Sequence, residues 1–193
     1  MEIEAYDDCI NAFNHIEITG GNIYCYSTTN DAIDSNGTLT ISGGTIVAVG
    51  SSQPETTFDC DNNTLKITGG TLIGIAGSTS TPTSSASTQH SLVYEKPGTF
   101  ELSHIESASG QNVLTFKAPR TYSQTVILFS SPNLKPNTSY IIYSGGSVSG
   151  GNEFHGLYEK GTYIKRTTES TFTVNSMITT VGFVSRNLGG GRP

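Results

Sequence analysis

Short apolar runs recur along the first 77 residues in one repeated order of hydrophobic and polar positions. Three stretches align, each passing from an acidic run through an Ile-x-Gly-Gly turn into a second apolar run. The paired glycines begin at residues 20, 43 and 69, so the period is 23 residues and then 26. A period in the twenties with several β-like runs and no helical periodicity is typical of a β-solenoid.

Alignment of the three repeats places their apolar residues in columns. At a strand spacing of about 4.8 Å, such columns form continuous ladders inside a solenoid. The pattern therefore predicts an all-β fold, a right-handed parallel β-helix with three regular coils in residues 5–77. Cys25, Ala48 and Gly74 form a column of small residues that suits a narrow corner. The three predicted apolar ladders are Ile10, Ile33 and Phe58; Ile18, Ile41 and Ile67; and Ile23, Ile46 and Leu72.

The second half of the chain repeats less regularly. Residues 78–88 are rich in Ser and Thr, which fits either a linker or a long loop at one corner of the helix. Several β-like runs follow, and Tyr143-Ser-Gly-Gly-Ser-Val resembles the turn motif of the coils. We predict a single domain over residues 1–193, with irregular coils and a C-terminal cap in 78–193. A small separate β-sandwich is the alternative.

The net charge of −6 is distributed very unevenly. Residues 1–65 carry six Asp and four Glu with no Lys or Arg, a formal charge of −10. Residues 66–193 carry ten Lys and Arg against six Glu, a charge of +4. Because phosphate binding needs positive charge, the first half is unsuited to nucleic acid. No apolar run is long enough to span a membrane. The acidic block instead calls for a cation.

In the same alignment the acidic residues also form columns. Carboxylates about 4.8 Å apart repel by roughly 3 kcal/mol at an effective dielectric of 20. Calcium would relieve this repulsion, since it takes 6–8 oxygen ligands from carboxylates, Asn carbonyls and backbone. The alternative is a solvated acidic ladder without metal. The predicted calcium ligands are Asp8, Asn11, Asp31, Asp34, Asp59 and Asp61.

Two tyrosines are candidates for carbohydrate binding. Tyr24 and Tyr26 flank the inward Cys25, so their side chains should point outward, and aliphatic residues continue both positions in the next coils. Such an apolar strip could stack sugar rings. It could equally be covered by the second half of the chain, and the absence of Trp favours covering.

The remaining candidates for chemistry form no motif. Cys9, Cys25 and Cys60 have no metal-type spacing, which favours small buried thiols; one disulfide plus a leftover thiol is the alternative. The four histidines show no motif spacing, and no Gly-x-Ser-x-Gly elbow occurs. We therefore predict no catalytic residues.

The coil motifs resemble a bacterial family of secreted carbohydrate-binding proteins, long listed as a domain of unknown function. The resemblance rests on Asn30-Asp-Ala-Ile-Asp-Ser-Asn-Gly with the following Ile41-Ser-Gly-Gly, on Phe58-Asp-Cys-Asp-Asn-Asn with Ile67-Thr-Gly-Gly, and on Tyr143-Ser-Gly-Gly. It implies a right-handed parallel β-helix similar to pectate lyases, with bound calcium and affinity for plant cell-wall polysaccharides. The family's Asp-x-x-Asp/Asn motif matches Asp8 with Asn11 and Asp31 with Asp34. The third coil departs from it, with Thr56 before Asp59.

The resemblance implies a non-catalytic, calcium-dependent module that binds polysaccharide outside the cell or at its surface. A polysaccharide lyase or hydrolase on the same scaffold, and a structural adhesin, are the alternatives. Family members are normally longer at the N-terminus, so we expect N-terminal coils and a secretion signal to be missing here. A bare N-terminal edge strand would favour a homo-oligomer.

Overall fold

A computed structural model describes residues 1–99 and 101–182. The described residues form 21 strands and no helix, and hence none long and apolar enough to cross a membrane. The first ten strands build the predicted solenoid. They are β1 (Glu2–Ala5), β2 (Ile10–Ala12), β3 (His15–Ile18), β4 (Asn22–Ser27), β5 (Ile33–Ser35), β6 (Thr38–Ile41), β7 (Thr45–Val49), β8 (Phe58–Asp59), β9 (Leu65–Ile67) and β10 (Thr71–Ala76).

The three predicted coils are confirmed in their register. The coils are β2-β3-β4, β5-β6-β7 and β8-β9-β10, and corresponding strands pair in parallel on three faces. Ile10 pairs with Ile33 and Ile33 with Phe58, as the alignment requires. The other two ladders also align, and their members are buried in one cluster. Only Ile10, in the first coil, is partly exposed.

The paired glycines make the turns that enter the longest face of the solenoid. Only the second glycine of each pair has a positive φ, as at Gly44 (97°) and Gly70 (88°). A Cβ at Gly70 would lie 2.9 Å from the backbone carbon of Gly43 in the preceding coil. The stacking of one turn on the next therefore requires glycine there for both its conformation and its size.

Residues 78–89 form one irregular turn that covers the open end of the third coil. The backbone of Ser80 donates to Phe58, that of Thr83 to Leu65, and that of Thr88 to Ile67. These bonds follow the path of a fourth coil without forming a strand. The Ser- and Thr-rich segment is thus a loop on the solenoid, and the linker interpretation is wrong.

The strands after this turn do not continue the coils, which corrects the prediction of further irregular coils. They are β11 (Ser91–Pro97), β12 (Leu102–Ser107), β13 (Asn112–Lys117), β14 (Gln124–Ser130), β15 (Ser139–Ser144), β16 (Ser147–Ser149), β17 (Asn152–Phe154), β18 (Leu157–Glu159), β19 (Thr162–Ile164), β20 (Thr167–Thr173) and β21 (Ile178–Val181). β14 pairs with β10 antiparallel, and β11 then pairs with β14. The seven-stranded sheet has the order β1-β4-β7-β10-β14-β11-β21.

A second sheet packs on the outside of the first. It explains why the strands after the solenoid change from parallel to antiparallel pairing. Its order is β17-β18-β13-β12-β15-β20, with antiparallel pairing throughout. The outward residues of the solenoid strands, such as Val47 and Ile73, are buried in one hydrophobic cluster with Phe116 and Tyr140 of this sheet. The second half therefore buries an apolar face that solenoid coils alone would leave in water. It shares a sheet with the solenoid and is not a separate sandwich.

β1 is the edge strand of the seven-stranded sheet and pairs with β4 over four residues. Large apolar side chains near this end are exposed, including Phe13 at 81% and Met1 at 60%. The homo-oligomer expected from an open edge stays a prediction.

Candidate functional site

Three of the predicted metal ligands converge at one corner of the solenoid. One carboxylate oxygen from each of Asp31, Asp34 and Asp59 lies within 4.8 Å of the others. The parallel pairing explains this, because Asp34 on β5 is the direct partner of both Asn11 on β2 and Asp59 on β8. Asp31 is buried, with 8% of its surface exposed, and the other two are partly buried. All three donors are oxygens, the ligand type that hard cations such as calcium prefer.

Hydrogen bonds hold the carboxylates in place. The Asn11 amide donates to Asp8 at 3.0 Å and to Asp34 at 2.6 Å. Asp31 accepts from the backbone N–H of Thr56. Asp59 accepts from the Ser80 hydroxyl at 3.1 Å. The irregular turn that ends the solenoid therefore helps to fix the site.

The electrostatic environment opposes three negative charges at this corner. Burial raises the pKa of Asp31 to about 7; the Asp59 carboxylate adds to this effect, and the Thr56 N–H acts against it. Burial, followed by the charges of Asp8, Asp59 and Asp61, raises the pKa of Asp34 to about 6. Protonation and cation binding are the two ways to relieve this repulsion.

The other predicted ligands lie at the margin of this cluster. Asp8 is joined to it through Asn11 and through the backbone N–H of Asp31, which donates to the Asp8 carboxylate at 3.1 Å. Asp61 is exposed in a turn with a positive φ of 49°, and its backbone N–H donates to Asp59. The structure thus brings Asp31, Asp34 and Asp59 together, with Asp8 and Asn11 beside them and Asp61 outside.

The tyrosine strip is covered by the second sheet, the arrangement that the sequence favoured. Tyr24 is 5% exposed, and its ring stacks on His155 with centroids 3.6 Å apart. Tyr26 is partly buried, and the guanidinium carbon of Arg120 lies 5.4 Å from its ring centroid. Neither ring offers the open platform that a sugar would need on this strip.

Two neighbouring clefts share Lys117 and Tyr158, a feature that the sequence did not indicate. We call them together the Tyr158 groove. The first has a volume of about 460 Å³ and the second about 310 Å³. They lie where β13 and β18 meet the segment that leads from β15 into β16. The first is also lined by Tyr24, Ala118, Pro119, Glu153, His155 and Gly156, and the second by Glu101, Leu102, Gly145, Gly146, Ser147, Val148 and Arg166.

A buried polar network on the second sheet was also missed. Glu106, 7% exposed, accepts from Lys165 at 2.5 Å and from the Tyr143 hydroxyl at 3.1 Å. Burial acts to raise the pKa of Glu106, but the hydrogen bonds from Lys165 and Tyr143 outweigh it and lower the value. The His104 ring lies beside this carboxylate and stacks on Tyr163 of β19. The network therefore fastens the β16–β19 ribbon to the second sheet.

No match to this chain was found among protein-family models, curated proteins or solved structures. The interpretation of the site therefore rests on its own geometry.

Proposed function

We propose that this protein is a non-catalytic module that binds polysaccharide in a calcium-dependent manner, outside the cell or at its surface. The observation that carries the proposal is the convergence of Asp31, Asp34 and Asp59 in register on adjacent coils. Carboxylates held this closely, with pKa values raised by burial and mutual repulsion, favour a bound cation over three free charges.

Calcium suits this donor set better than the alternatives. The ligands are carboxylates, with an Asn side chain beside them, and no Cys or His of the described residues joins this acidic cluster, which disfavours zinc and copper. Magnesium demands a tight octahedron and keeps several waters, whereas calcium tolerates an irregular set of 6–8 oxygens. Extracellular calcium sites bind with dissociation constants of about 10⁻⁴–10⁻³ M.

We propose that the polysaccharide binds in the Tyr158 groove. Binding sites for small ligands and sugars are concave, with apolar and aromatic walls and a few polar groups. Tyr158 is partly buried and the Lys117 ammonium is on an exposed residue, so one side chain can contact a sugar face and the other its oxygens. Shared lining residues join the two clefts into a path suited to a chain rather than to a single sugar.

Calcium at millimolar concentration is expected to raise the melting temperature of the wild type by several degrees. A ligand that binds only the folded state adds about 2.7 kcal/mol at a hundredfold excess over its dissociation constant, and about 10 mM calcium gives that excess over a dissociation constant of about 10⁻⁴ M. For a chain of this size that corresponds to a shift of roughly 5–10 °C. Asp34→Ala, at the centre of the cluster, should abolish most of the shift. Thermal unfolding with calcium and then with chelator measures it.

Glu17→Ala is the matched control for this experiment, because Glu17 is an exposed acid on the outer face of β3. It removes the same charge and should keep the calcium shift. If the wild type ignores calcium while Asp34→Ala stabilises the metal-free protein, the acids are a repulsive solvated ladder and the calcium proposal fails.

Tyr158→Ala is expected to weaken polysaccharide binding about tenfold, the effect of losing one aromatic stacking contact of roughly 1.4 kcal/mol. Wild type and variant would be titrated with xylan, polygalacturonate and cellulose oligosaccharides, with and without calcium. Tyr6→Ala is the control, since Tyr6 is 78% exposed and does not line the groove. Unsaturated products released from polygalacturonate would indicate a lyase instead, and no binding to any glycan would favour a structural adhesin.

A further inference from the structure

One corner of the solenoid is built from two facing columns of small residues. The first column is Cys25, Ala48 and Gly74, which pair in register along β4, β7 and β10. The second column consists of the residues directly before the Ile10, Ile33 and Phe58 ladder; in chain order they are Cys9, Ala32 and Thr57.

The third coil shows how closely these columns approach each other. A Cβ built on Gly74 would lie 2.4 Å from the hydroxyl oxygen of Thr57, and that hydroxyl donates to the carbonyl of Ala48 at 3.0 Å. The two facing positions therefore share a limited space. In the third coil the larger Thr57 faces Gly74, and in the second coil both positions are alanine. In the first coil both positions are cysteine.

The contacts of the first coil agree with this register. Cys25 is fully buried, and Ile3 of β1 is its partner in the sheet. The Cys9 thiol donates to the carbonyl of that same Ile3 at 3.7 Å. The two thiols also lie within hydrogen-bonding reach of each other. Cys60, in a turn of the third coil, instead donates to Asn63.

We propose that Cys9 and Cys25 form a disulfide when the protein meets an oxidising environment. The bond would tie the connection between β1 and β2 to β4, at the end of the solenoid where the coil core is least covered. The pair is a modification site independent of the calcium cluster and of the Tyr158 groove, and its outcome does not depend on the proposed function.

A small disulfide such as oxidised glutathione supplies the oxidant. The Cys9 thiolate, on a partly exposed residue, attacks one glutathione sulfur and releases the first glutathione as a thiolate. The Cys25 thiolate then attacks the Cys9 sulfur of the mixed disulfide and releases the second glutathione. The protons of the two cysteines end on the two glutathiones. Burial raises the pKa of Cys25 to about 12, so the second step should be the slow one.

The test is to incubate the folded protein with oxidised glutathione, alkylate it, and map its peptides by mass spectrometry. In the wild type, Cys60 should be the one cysteine of the three that remains free and is alkylated. The digest should also contain a disulfide-linked peptide pair with Cys9 and Cys25. Its melting temperature should rise by roughly 5–10 °C, because the bond closes a loop of about 15 residues, and dithiothreitol should reverse the rise.

Cys60→Ser is the matched variant that should retain the bridge and the stabilisation. Cys9→Ala should keep both remaining thiols free and show no shift; alanine already occupies the equivalent position in the second coil, so this variant should fold. Three free thiols in the oxidised wild type, a stable mixed disulfide on Cys9 alone, or a bridge that includes Cys60 would each overturn the proposal.

Discussion

Ile41→Ala is expected to lower the free energy of unfolding by about 2–5 kcal/mol, the usual cost of a large-to-small change in a closely packed core. Ile41 is fully buried, and in its ladder it lies between Ile18 below and Ile67 above. A cavity at this position has a neighbouring coil on each side. Because those coils are held by their own parallel pairing, they cannot collapse freely into the space.

Thr40→Ala is the control for this prediction. Thr40 precedes Ile41 on β6, points to the opposite face and is partly exposed, so its truncation should change the free energy of unfolding by less than about 1 kcal/mol. Equilibrium unfolding in urea measures both variants. Equal losses for the two would mean that the apolar ladder does not stabilise the solenoid in the way its burial indicates.

The coils could be predicted from sequence because one geometric rule governs every position in them. A period of 23 to 26 residues places Ile18, Ile41 and Ile67 in line, and alternation along each strand then decides which residues point inward. The same rule aligns Asn11, Asp34 and Asp59 on the outer face, as their pairing in the sheet confirms. Register therefore predicted both the core and the acidic cluster.

The second half could not be predicted in this way because a similar motif serves a different turn. In the coils only the second glycine of each pair has a positive φ. At Gly145 and Gly146 both have positive φ, at 71° and 87°, and the chain leaves β15 of the second sheet for β16, which pairs with β19 in a separate ribbon. The sequence Ser-Gly-Gly-Ser alone does not distinguish these two geometries.

The Tyr158 groove lay beyond sequence reasoning for a related reason. Lys117 and Tyr158 come from β13 and β18, which are neighbours only because the second sheet has the order β17-β18-β13. The second sheet is arranged to cover the apolar outer face of the solenoid. Such packing does not repeat at a fixed interval along the chain. Functional residues contributed by such a sheet leave no regular spacing in the chain.

The metal-free protein is expected to lose stability as the pH rises from about 4 to about 8, and Asp31→Asn should remove the larger share of that loss, because the pKa of Asp34 is raised less, to about 6. The folded state holds a proton on Asp31 up to a pKa of about 7, well above its ordinary value of 3.8. A group whose pKa is higher in the folded state stabilises the fold fully below the unfolded value, and this contribution disappears as the pH rises through the folded value. A difference of about three units corresponds to at most about 4 kcal/mol.

Urea unfolding in chelator at several pH values measures the effect as the difference between wild type and Asp31→Asn. The difference is needed because burial lowers the pKa of His104, which makes the fold less stable as the pH falls below the ordinary value of 6.5 and so acts in the opposite direction. Asparagine keeps an oxygen that can accept from the Thr56 N–H, so the variant loses the charge and not the hydrogen bond. It should therefore be the more stable protein at pH 8 without metal. Calcium should reverse this order, because it replaces the proton on the wild-type carboxylates and gains little from an amide in the same place. If the stabilities of the two proteins instead change with pH in the same way, the pKa of Asp31 is not raised by folding. The electrostatic argument for a cation at this cluster would then lose its main support.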